Sequence, residues 1–490
     1  MRVAIKKALD LVKEGRDKIV LELPTGYGKT VAGPHLYAAF KGAGLCWKAV
    51  HVFPLRTLLH KALRGYVESH PDVEFTYQDG DVTLRREGYV KDPYFTGEYV
   101  LTTVDSFVHN LFKAPVAELS RVLKGRAVHY HVPFAYIYPS CVFFDEAHVV
   151  AQDERGKAAA ALKASINSLI EAEVPVVVMS ATLGEWKWEF FDDFVFVRLG
   201  GSDRSDGRLV EVHDGDFERQ MGGVKYSVRA IDEGEVLDVA RRELAEGRRV
   251  LIVVNNICKA VKWFSELRGS YSAALIHSQI ARGERARAEE ALGSARVVVG
   301  TSAIEAGVDV TFDTLITSAD SPESVVQRVG RVCRYGGNCE GRVYVFGDGA
   351  DRYEAVAEWR LPYKEDSYAS LLSSKLEVDR RLLWVLDQLG DLLFVDPVEL
   401  SRVFRGAGYS FVREGVLLEV STTPTYTPEG SFAASVERIR FKVGVLEGGS
   451  VEEVERVDSE WLYKWVEERG EFPTLYAKEY VPGLGPRYEC

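Results

Sequence analysis

The sequence predicts an α/β fold with two tandem units, each built on a parallel sheet, and a C-terminal accessory domain. Short β-branched runs alternate with helical stretches, which is typical of strands buried on both faces of a parallel sheet. The alternation stops in the Gly- and charge-rich segment 200–234 and then resumes. We therefore predict domains at residues 1–200, 201–350 and 351–490, because the pattern becomes irregular beyond about residue 350.

The predicted strands follow one another in the order that two parallel sheets require. The first unit contains apolar runs at 18–23, 49–54, 99–104, 141–147 and 174–182. The second unit contains similar runs at 248–255, 273–278, 295–301, 314–320 and 341–348. In the third domain, the segment 450–472 is predicted to form one amphipathic helix that packs its apolar side in a core.

Composition excludes several classes of protein. A hydrophobic share of 46 % in 490 residues supports sizeable cores and excludes a disordered chain. No apolar run approaches the roughly 18 residues of a membrane helix. The N-terminal segment reads as an amphipathic helix without an apolar signal core. We therefore expect no membrane association.

The net charge of −12 is unevenly distributed along the chain. Residues 351–490 carry 26 acidic and 17 basic side chains, which leaves the first 350 residues close to neutral. A near-neutral body can still present a basic groove to a polyanion. The acidity therefore does not exclude nucleic acid as a partner.

The cysteines are scattered and form no CxxC pair. They stand at Cys46, Cys141, Cys258, Cys333, Cys339 and Cys490. This spacing argues against a zinc ribbon, an iron–sulfur cluster and a disulfide framework. We therefore expect reduced thiols and a cytoplasmic location.

A phosphate-binding loop is predicted between the first strand and the helix that follows it. Glycines let successive backbone N–H groups face a phosphate chain, a lysine neutralises the β- and γ-phosphates, and a threonine hydroxyl ligates Mg²⁺. Leu23 stands where the strict GxxxxGK[ST] pattern has its first glycine, so an ordinary Gly-rich turn is the alternative. The candidate nucleotide-binding residues are Thr25, Gly26, Gly28, Lys29 and Thr30.

The second half of a nucleotide-hydrolysing site is predicted at the end of the strand 141–147. Four apolar or sulfur-containing residues lead directly into Asp145 and Glu146. In such sites the first carboxylate holds Mg²⁺ and the second orients the attacking water. A bland acidic turn at a strand end is the alternative. With Thr30 and Asp145 as the metal ligands, the two segments predict a core that hydrolyses ATP with Mg²⁺.

Three further segments fall where a nucleic-acid motor needs them. Ser180-Ala181-Thr182 ends a strand and could relay the nucleotide state, and the segment 300–309 follows a strand of the second unit. On a helix, Gln327, Arg331 and Arg334 would share one face and point at a partner domain as arginine fingers do. A solvated basic face is the alternative. On such a helix Gly330 would be an interior position, where glycine costs about 1 kcal/mol. Its presence there indicates that another group approaches the helix backbone closely.

Together these motifs resemble those of superfamily-two helicases. LPTGYGKT, DEAH, SAT, GTSAIEAGVDV and QRVGRVCR follow the order of motifs I, II, III, V and VI across residues 23–334. The segments DEAHVVAQDE, IEAGVDVTFDTLI and SPESVVQRVGR are similar to the CRISPR-associated helicase–nuclease of type I systems. The resemblance implies two tandem RecA-like P-loop domains.

The resemblance also implies a role for each matching residue. The residues implied in catalysis are Glu146, Arg331, Arg334 and Gln327. Those implied in coupling hydrolysis to movement are His148, Ser180, Thr182, Gly307 and Asp309. Those implied in nucleic-acid binding are Pro54, Arg56, Thr102, Thr103, Asp105 and Thr301, each of which has a plain loop or strand-end role as its alternative. No glutamine precedes Gln78, so the family's adenine-reading glutamine is missing and adenine specificity is not predicted.

Family members fuse an HD nuclease to the helicase, and we expect none in this chain. The phosphate loop begins near residue 24, and all ten histidines lie at or before His277. The lone His213-Asp214 pair is not expected to bind a metal. The resemblance then implies a stand-alone helicase subunit that acts with a separate HD nuclease subunit and an RNA-guided surveillance complex.

The predicted function is ATP-dependent translocation along single-stranded DNA, 3′ to 5′ as in the family, which unwinds target DNA for a nuclease supplied in trans. One alternative is another superfamily-two motor, such as an RNA helicase or a repair or restriction translocase. A second is an ATP-gated clamp that binds nucleic acid without turnover. The intact Lys29, Glu146 and Arg331 argue against the clamp.

Overall fold

The structure is a computed structural model that describes residues 1–80, 89–152, 155–304, 310–356, 359, 371–372, 375–408, 410–412, 416–447 and 450–488. The chain divides into two units, each with its own core. Unit 1 consists of Met1–Arg219 and Leu361–Arg413, and unit 2 consists of Gln220–Arg360 and Glu414–Cys490.

Unit 1 is organised around one large sheet. Its strands are β1 (Lys18–Glu22), β2 (Lys48–Phe53), β3 (Phe75–Gln78), β4 (Val90–Lys91), β5 (Tyr99–Thr103), β6 (Ser140–Phe144), β7 (Val176–Ser180), β8 (Val195–Leu199), β9 (Arg204–Ser205) and β10 (Leu209–Val212). Their order in the sheet is β4-β3-β5-β2-β6-β7-β1-β8-β10-β9. Every pair is parallel except β9 with β10. The carboxyl ends of β6, β7 and β1 therefore lie side by side.

Helices connect these parallel strands, as crossovers between parallel neighbours require. The helices are α1 (Val3–Lys13), α2 (Lys29–Gly42), α3 (Arg56–Ser69), α4 (Val104–Leu111), α5 (Leu119–Leu123), α6 (His131–Ile137), α7 (Lys157–Glu171), α8 (Lys187–Phe190) and α9 (Gly215–Met221). Helices α1, α3 and α4 are amphipathic and bury their Ala, Ile, Leu, Phe and Val side chains.

Unit 2 repeats the plan with a six-stranded parallel sheet in the order β11-β16-β15-β12-β14-β13. Its strands are β11 (Val224–Ile231), β12 (Val250–Val253), β13 (Ala273–Ile276), β14 (Val297–Gly300), β15 (Thr314–Ser318) and β16 (Cys339–Phe346). Its helices in this part of the chain are α10 (Val236–Ala245), α11 (Ile257–Leu267), α12 (Arg282–Ala291), α13 (Pro322–Val329) and α14 (Asp351–Glu354). Each predicted strand run overlaps an observed strand, so the α/β prediction with two parallel sheets is confirmed.

The described residues of the C-terminal part add three helices and small antiparallel-rich sheets. Helices α15 (Arg380–Asp391) and α16 (Pro397–Gly406) belong to unit 1. The remaining elements belong to unit 2: β17 (Leu417–Ser421), β18 (Ser431–Ser435), β19 (Val443–Glu447), β20 (Ser450–Glu453), α17 (Ser459–Arg469), β21 (Thr474–Ala477), β22 (Tyr480–Val481) and β23 (Gly485–Pro486). The five strands β17 to β21 form a sheet in the order β18-β17-β21-β19-β20.

The domain limits differ from the predicted ones in two places. The segment 200–234 is not simply a break between units, because β10 pairs with β8 and β11 pairs with β16. In β10 and β11 apolar residues alternate with polar ones. No continuous apolar run therefore marks these strands within a segment that is rich in glycine and charged residues. In addition, 351–490 does not form a third unit, because its residues are divided between unit 1 and unit 2.

Two lysines attach the segment 380–411 to the rest of unit 1. Lys113 Nζ donates to the carbonyls of Leu389 and Gly390 at the end of α15. Lys157 Nζ donates to the carbonyl of Ala407, just after α16, at 2.5 Å. The carbonyl ends of these helices would otherwise be unsatisfied. Such contacts between residues far apart in sequence leave no local pattern.

The single helix predicted over 450–472 is wrong in its first part. Ser450–Glu453 pairs antiparallel with β19 as a strand, and the helix begins only at Ser459. The side chain of Asp458 accepts the N–H of Trp461 at 2.9 Å and so caps the helix start.

The expectation of reduced thiols is also wrong. Cys333 and Cys339 form a disulfide across six positions of sequence, whereas Cys46 and Cys141 are free and buried. A turn with left-handed backbone at Cys333, Gly336 and Gly337 brings the two thiols together, and spacing alone does not reveal such a turn. Over the described ranges, no helix is long and apolar enough to cross a membrane.

Candidate active site

The predicted phosphate loop lies between β1 and α2, where it forms an open cradle. Gly26 and Gly28 have φ values of +82° and +100°, a left-handed conformation that only glycine adopts readily. Both are exposed, and no atom lies within 4 Å of where their Cβ atoms would be. Gly28 precedes the first turn of α2, so the backbone N–H groups of that turn face this opening. The loop therefore has the geometry of an anion site at a helix N-terminus.

Lys29 is held at the mouth of this loop. Its side chain is buried, and Nζ donates to the carbonyls of Leu23 and Pro24 at 2.7 and 3.2 Å. Thr25 is half-buried in the turn beside it. The ammonium group thus lies beside the cradle, bonded to two backbone carbonyls that it can exchange for phosphate oxygens.

Thr30 and Asp145 meet although 115 positions separate them. Thr30 Oγ1 donates to Asp145 Oδ2 at 2.6 Å. Burial, together with the neighbouring charge of Glu146, raises the pKa of Asp145 well above its usual range. A hydroxyl and a carboxylate are hard oxygen ligands of the kind that Mg²⁺ takes, with phosphate oxygens completing its shell. The pair therefore fits the predicted magnesium site, whereas no group of three or more His, Cys, Asp or Glu side chains in the described ranges could hold a metal.

Glu146 and His148 connect this pair to the end of β7. Glu146 has a φ of +49°, which is uncommon for a residue with a side chain, and its N–H donates to Asp145 Oδ1 at 2.9 Å. His148 Nδ1 lies 3.5 Å from Glu146 Oε2 and 3.0 Å from Ser180 Oγ. Ser180 in turn donates to the carbonyl of Thr182 at 3.1 Å. The DEAH and SAT segments are thus joined by direct hydrogen bonding.

A buried polar cluster behind the loop escaped the sequence analysis. The Tyr66 hydroxyl donates to the Thr30 carbonyl and also lies 3.2 Å from His51 Nδ1. Burial lowers the pKa of His51 to about 3, so this imidazole stays neutral. A Cβ on Gly33 would come within 2.7 Å of the Tyr99 hydroxyl, so glycine is required there. The one available signal was the glycine inside α2, because isolated histidines and tyrosines in apolar runs look like ordinary core residues.

The nucleic-acid candidates of unit 1 are placed in two different ways. Pro54 follows β2 and is buried, and Arg56 begins α3 half-exposed. Asp105 lies half-exposed in the first turn of α4. Thr102 and Thr103, in contrast, are buried: Thr102 donates to the Gln78 carbonyl at 2.9 Å, and Thr103 caps α4. For these two side chains the packing interpretation is favoured.

The predicted helical face of unit 2 is wrong. Helix α13 ends at Val329 and Gly330 is its C-cap, so Arg331 and Arg334 lie beyond the helix and do not continue the face of Gln327. The chain turns there because Val332 forms a bridge with Phe312. Gly330 therefore has a helix-ending role, and it does not interrupt a helix.

The remaining arginine of this motif, Arg328, has a structural role that the sequence analysis missed. It is fully buried, donates to Thr317 Oγ1 at 2.7 Å and pairs with Asp320 at 2.5 Å. Thr301 follows β14 with its amide bonded to the Ile276 carbonyl at 3.1 Å. Gly307 and Asp309 lie outside the described residues.

Comparisons with known proteins agree with this arrangement. A family model described as DEAD/DEAH box helicase matches residues 4–189. A second, described as CRISPR-associated nuclease/helicase Cas3, C-terminal, matches residues 246–337. The chain therefore contains a DEAD/DEAH box helicase domain followed by a Cas3-like C-terminal domain. The first match contains motifs I to III and the second contains motifs V and VI, so the resemblance found in the sequence is confirmed.

Individual relatives of this Cas3-like helicase are distant. The CRISPR-associated helicase Cas3 of Thermoproteus tenax is 26 % identical over 355 residues, covering 69 % of this chain and 57 % of the relative. The ATP-dependent helicase Lhr-Core of Sulfolobus acidocaldarius is 26 % identical over 449 residues, covering 81 % of this chain and 46 % of the relative. The chain thus spans about half the length of these curated relatives.

Among solved structures, the crystal structure of T. fusca Cas3-ADP matches with a TM-score of 0.59 at 14 % identity. It covers 89 % of this chain and 64 % of that one. At this identity the match concerns the fold, and it confirms the RecA-like helicase architecture.

Proposed function

We propose that this chain is an ATP-dependent helicase that translocates along single-stranded DNA in CRISPR type I interference. The observation that carries the proposal is the meeting of Thr30, Lys29 and Asp145 at the carboxyl edge of one sheet, with His148 and Ser180 bonded beside them. This edge is where parallel α/β sheets bind nucleotides. The match to the Cas3 C-terminal helicase model supports the CRISPR assignment.

The side chains of unit 1 suffice for the binding half of the chemistry. Lys29 and the N–H groups of the loop would bind the phosphate chain, and Glu146 would orient the attacking water and accept its proton. Thr30 and Asp145 would hold Mg²⁺, which neutralises charge on the phosphate oxygens when it is bound. His148, Ser180 and Thr182 would pass the state of the site to the end of β7. Further proposed coupling residues are Gly307 and Asp309.

Unit 2 is proposed to complete the reaction. Arg331 and Arg334 would stabilise the charge that develops on the transferred phosphoryl group, and Gln327 would contact the phosphates or the water. This assignment rests on the motif and on the match to residues 246–337. It no longer rests on a shared helical face.

The partners are proposed from the same resemblance. Arg56, Asp105, Thr301 and the backbone near Pro54 would contact single-stranded DNA, with movement from 3′ to 5′. A separate HD nuclease subunit would cut the strand, and an RNA-guided surveillance complex would recruit the motor. The T. tenax relative, which is named a CRISPR-associated helicase, supports this arrangement.

A second candidate is an ATP-dependent helicase of the Lhr-Core type that acts outside CRISPR interference. The specific observation in its favour is that the Lhr-Core alignment covers 81 % of this chain, more than the 69 % covered by the T. tenax Cas3 alignment. An RNA helicase, a restriction translocase and an ATP-gated clamp stay as further alternatives. The two leading candidates share the ATP chemistry and differ in the partner that recruits them.

The first experiment measures steady-state ATPase rate with no polymer, with single-stranded DNA and with single-stranded RNA. Strong stimulation by DNA and little by RNA is the expected result. Lys29→Ala should abolish turnover, whereas Lys41→Ala, a control lysine of the same helix that pairs with Glu98, should not. Equal stimulation by RNA would overturn the polymer assignment, and absence of turnover in the wild type would favour the clamp.

The recruitment step is tested separately by binding to an RNA-guided surveillance complex with its target DNA loaded. Retention of the chain on the loaded complex, and not on the unloaded one, is expected for the CRISPR assignment. Unwinding of forked DNA without any retention would favour the helicase of the Lhr-Core type.

A further inference from the structure

The phosphate loop is anchored from behind by a residue far along the chain. The side chain of Tyr27 points inward between the exposed Gly26 and Gly28, and only 1 % of its surface is accessible. Its hydroxyl donates to Asp214 Oδ2 at 2.7 Å and accepts the N–H of Ala4 at 3.1 Å. The loop therefore faces the open cradle on one side, and on the other side it is bonded to Asp214 through Tyr27.

Aromatic and cationic packing fixes this contact. The rings of Tyr27 and Phe217 meet edge to face with centroids 5.1 Å apart. The Arg2 guanidinium lies 5.2 Å from the Tyr27 centroid and 4.6 Å from the Phe217 centroid. Although burial acts in the opposite direction, the hydrogen bonds from Tyr27 and the Phe217 amide lower the pKa of Asp214, so the carboxylate is charged at neutral pH.

Asp214 also starts the helix by which the chain leaves unit 1. Its Oδ1 accepts the N–H of Phe217 at 3.0 Å, and its carbonyl accepts the N–H of Glu218 at 2.9 Å. One carboxylate thus binds the phosphate loop with one oxygen and caps α9 with the other. Helix α9 runs from Gly215 to Met221, and unit 2 begins within it at Gln220.

Inside unit 2, Gln220 is bonded to the loop that follows motif VI. The N–H of Gly337 donates to the Gln220 carbonyl at 2.8 Å, and the Gln220 amide donates to the Tyr335 carbonyl at 3.2 Å. A Cβ on Gly336 would overlap the Gln220 carbonyl, at 2.1 Å. The chain that continues from Asp214 through α9 therefore enters unit 2 beside the loop that follows Arg334.

We propose that Asp214 is a positioning residue that makes the connecting segment 213–221 respond to the nucleotide bound at the phosphate loop. Phosphate that binds the N–H groups around Gly26 and Gly28 fixes the loop backbone, and with it the hydroxyl of Tyr27. Because the two events are thermodynamically linked, a nucleotide that stabilises the loop also stabilises the Tyr27–Asp214 hydrogen bond. It stabilises the start of α9 as well, because the same carboxylate caps that helix. The inference rests on the proposed nucleotide binding.

The test follows amide hydrogen exchange of the full chain with and without Mg²⁺ and a non-hydrolysable ATP analogue. In the wild type, nucleotide should slow exchange in peptides from both 23–30 and 213–221, the latter by roughly tenfold, the order expected for a hydrogen bond to a charged group. In Asp214→Asn and in Tyr27→Phe, at saturating nucleotide, peptide 23–30 should stay protected while peptide 213–221 exchanges as it does without nucleotide.

Matched controls separate this role from a structural one. Asp206→Asn alters a carboxylate that also accepts backbone amides, those of Arg208 and Leu209, and Tyr37→Phe alters a phenol that donates to Glu98. Both should keep the wild-type response. The double variant Tyr27→Phe/Asp214→Asn should lose no more than either single one, because one bond is removed in all three.

The outcomes are distinguishable. Protection of 23–30 without any change at 213–221 in the wild type, or an unchanged response in both variants, would overturn the inference and leave the proposed function standing. Absence of protection at 23–30 in the wild type would overturn the proposed function itself. If Asp214→Asn fails to fold, Tyr27→Phe alone carries the test.

Discussion

The two parallel-sheet units hold their charged motif residues in different ways. In unit 1 the residues of motifs I, II and III bind one another: Thr30 donates to Asp145, and His148 contacts Ser180. In unit 2 the most deeply buried arginine of motif VI, Arg328, is paired with Asp320 inside the unit. A disulfide between Cys333 and Cys339 closes the loop that carries Arg334.

This difference shows how one architecture can serve two tasks. Unit 1 gathers complementary groups into a site whose geometry exists within a single sheet edge. In unit 2, an ion pair and a disulfide hold the segment that carries Arg331 and Arg334, the residues that the motif implies in catalysis. We therefore expect substitutions in unit 1 to change binding and chemistry, and substitutions in motif VI to divide into those that affect turnover and those that affect stability.

The largest expected effect comes from Arg331→Ala. If this side chain acts as an arginine finger, turnover should fall by roughly 10³-fold or more, the contribution of such a residue in phosphoryl transfer. Nucleotide affinity of unit 1 should change little. Measured ATPase rates together with nucleotide titration check this, and near-normal turnover would remove Arg331 from the proposed mechanism.

Glu146→Gln tests the corresponding group in unit 1. Loss of the proton acceptor should lower turnover by about 10²- to 10⁴-fold. Nucleotide should still bind, because Lys29, Thr30 and Asp145 are intact. Single-turnover kinetics report the step directly, with Glu98→Gln, a carboxylate bonded to Tyr37 and Lys41, as the control. Unchanged turnover in Glu146→Gln would contradict the assignment of the DEAH segment.

Arg328→Ala should instead affect stability. Removing one partner of a buried ion pair leaves the other charge uncompensated and costs about 3–5 kcal/mol. We expect the free energy of unfolding of unit 2 to fall by this order, while that of unit 1 stays the same. Pulse proteolysis in urea, read out by peptides from each unit, measures both. A loss of turnover without loss of stability would show that Arg328 contributes to catalysis and would contradict its purely structural role.

The disulfide gives a smaller effect of the same kind. Closing a loop this short restricts the unfolded chain by about 2 kcal/mol, so Cys333→Ser/Cys339→Ser should destabilise unit 2 by that order. The buried free thiol of Cys46 offers a control, Cys46→Ser, which lies in unit 1. Equal unfolding midpoints for the oxidised wild type and the double variant in unit 2 would contradict the prediction.

The smallest effect is a pH dependence in unit 1. Burial lowers the pKa of His109 to about 4, and its Nε2 accepts the N–H of Phe411 at 3.2 Å. Below pH 6.5 the unfolded chain binds a proton that the folded unit does not, so the stability that is fully present above pH 6.5 is lost as the pH falls toward 4. The loss is at most about 1.4 kcal/mol per pH unit.

His109→Gln keeps an acceptor for Phe411 and removes the titration. The difference in free energy of unfolding between wild type and variant should shift in favour of the variant as the pH falls from 6.5 to 5. Other groups, including Asp145 with its raised pKa, cancel in this difference. A difference that does not vary with pH would contradict the neutral, buried state of His109.

The sequence predicted the fold well where strands are continuously apolar. Runs such as Val250–Val253 and Val176–Ser180 are buried on both faces of a parallel sheet, so their pattern is local and unambiguous. It did not predict β10 or β11, in which polar residues alternate with apolar ones, within a stretch rich in glycine and charge. It also placed Arg331 on a helix that ends two residues earlier, because the bridge between Val332 and Phe312 depends on a distant strand partner.

The sequence by itself determined the phosphate loop, the paired carboxylates and the order of the motifs. The loop and the carboxylates are patterns of adjacent residues, and the order of the motifs follows from their positions along the chain. Only the tertiary structure decided that Lys113 and Lys157 tie the segment 380–411 to unit 1, that His51 and Tyr66 support the site from behind, and that Asp214 holds Tyr27. These contacts join residues up to 277 positions apart. Burial and hydrogen bonds between segments that share no sequence pattern stabilise these contacts. A prediction from local sequence therefore cannot identify them.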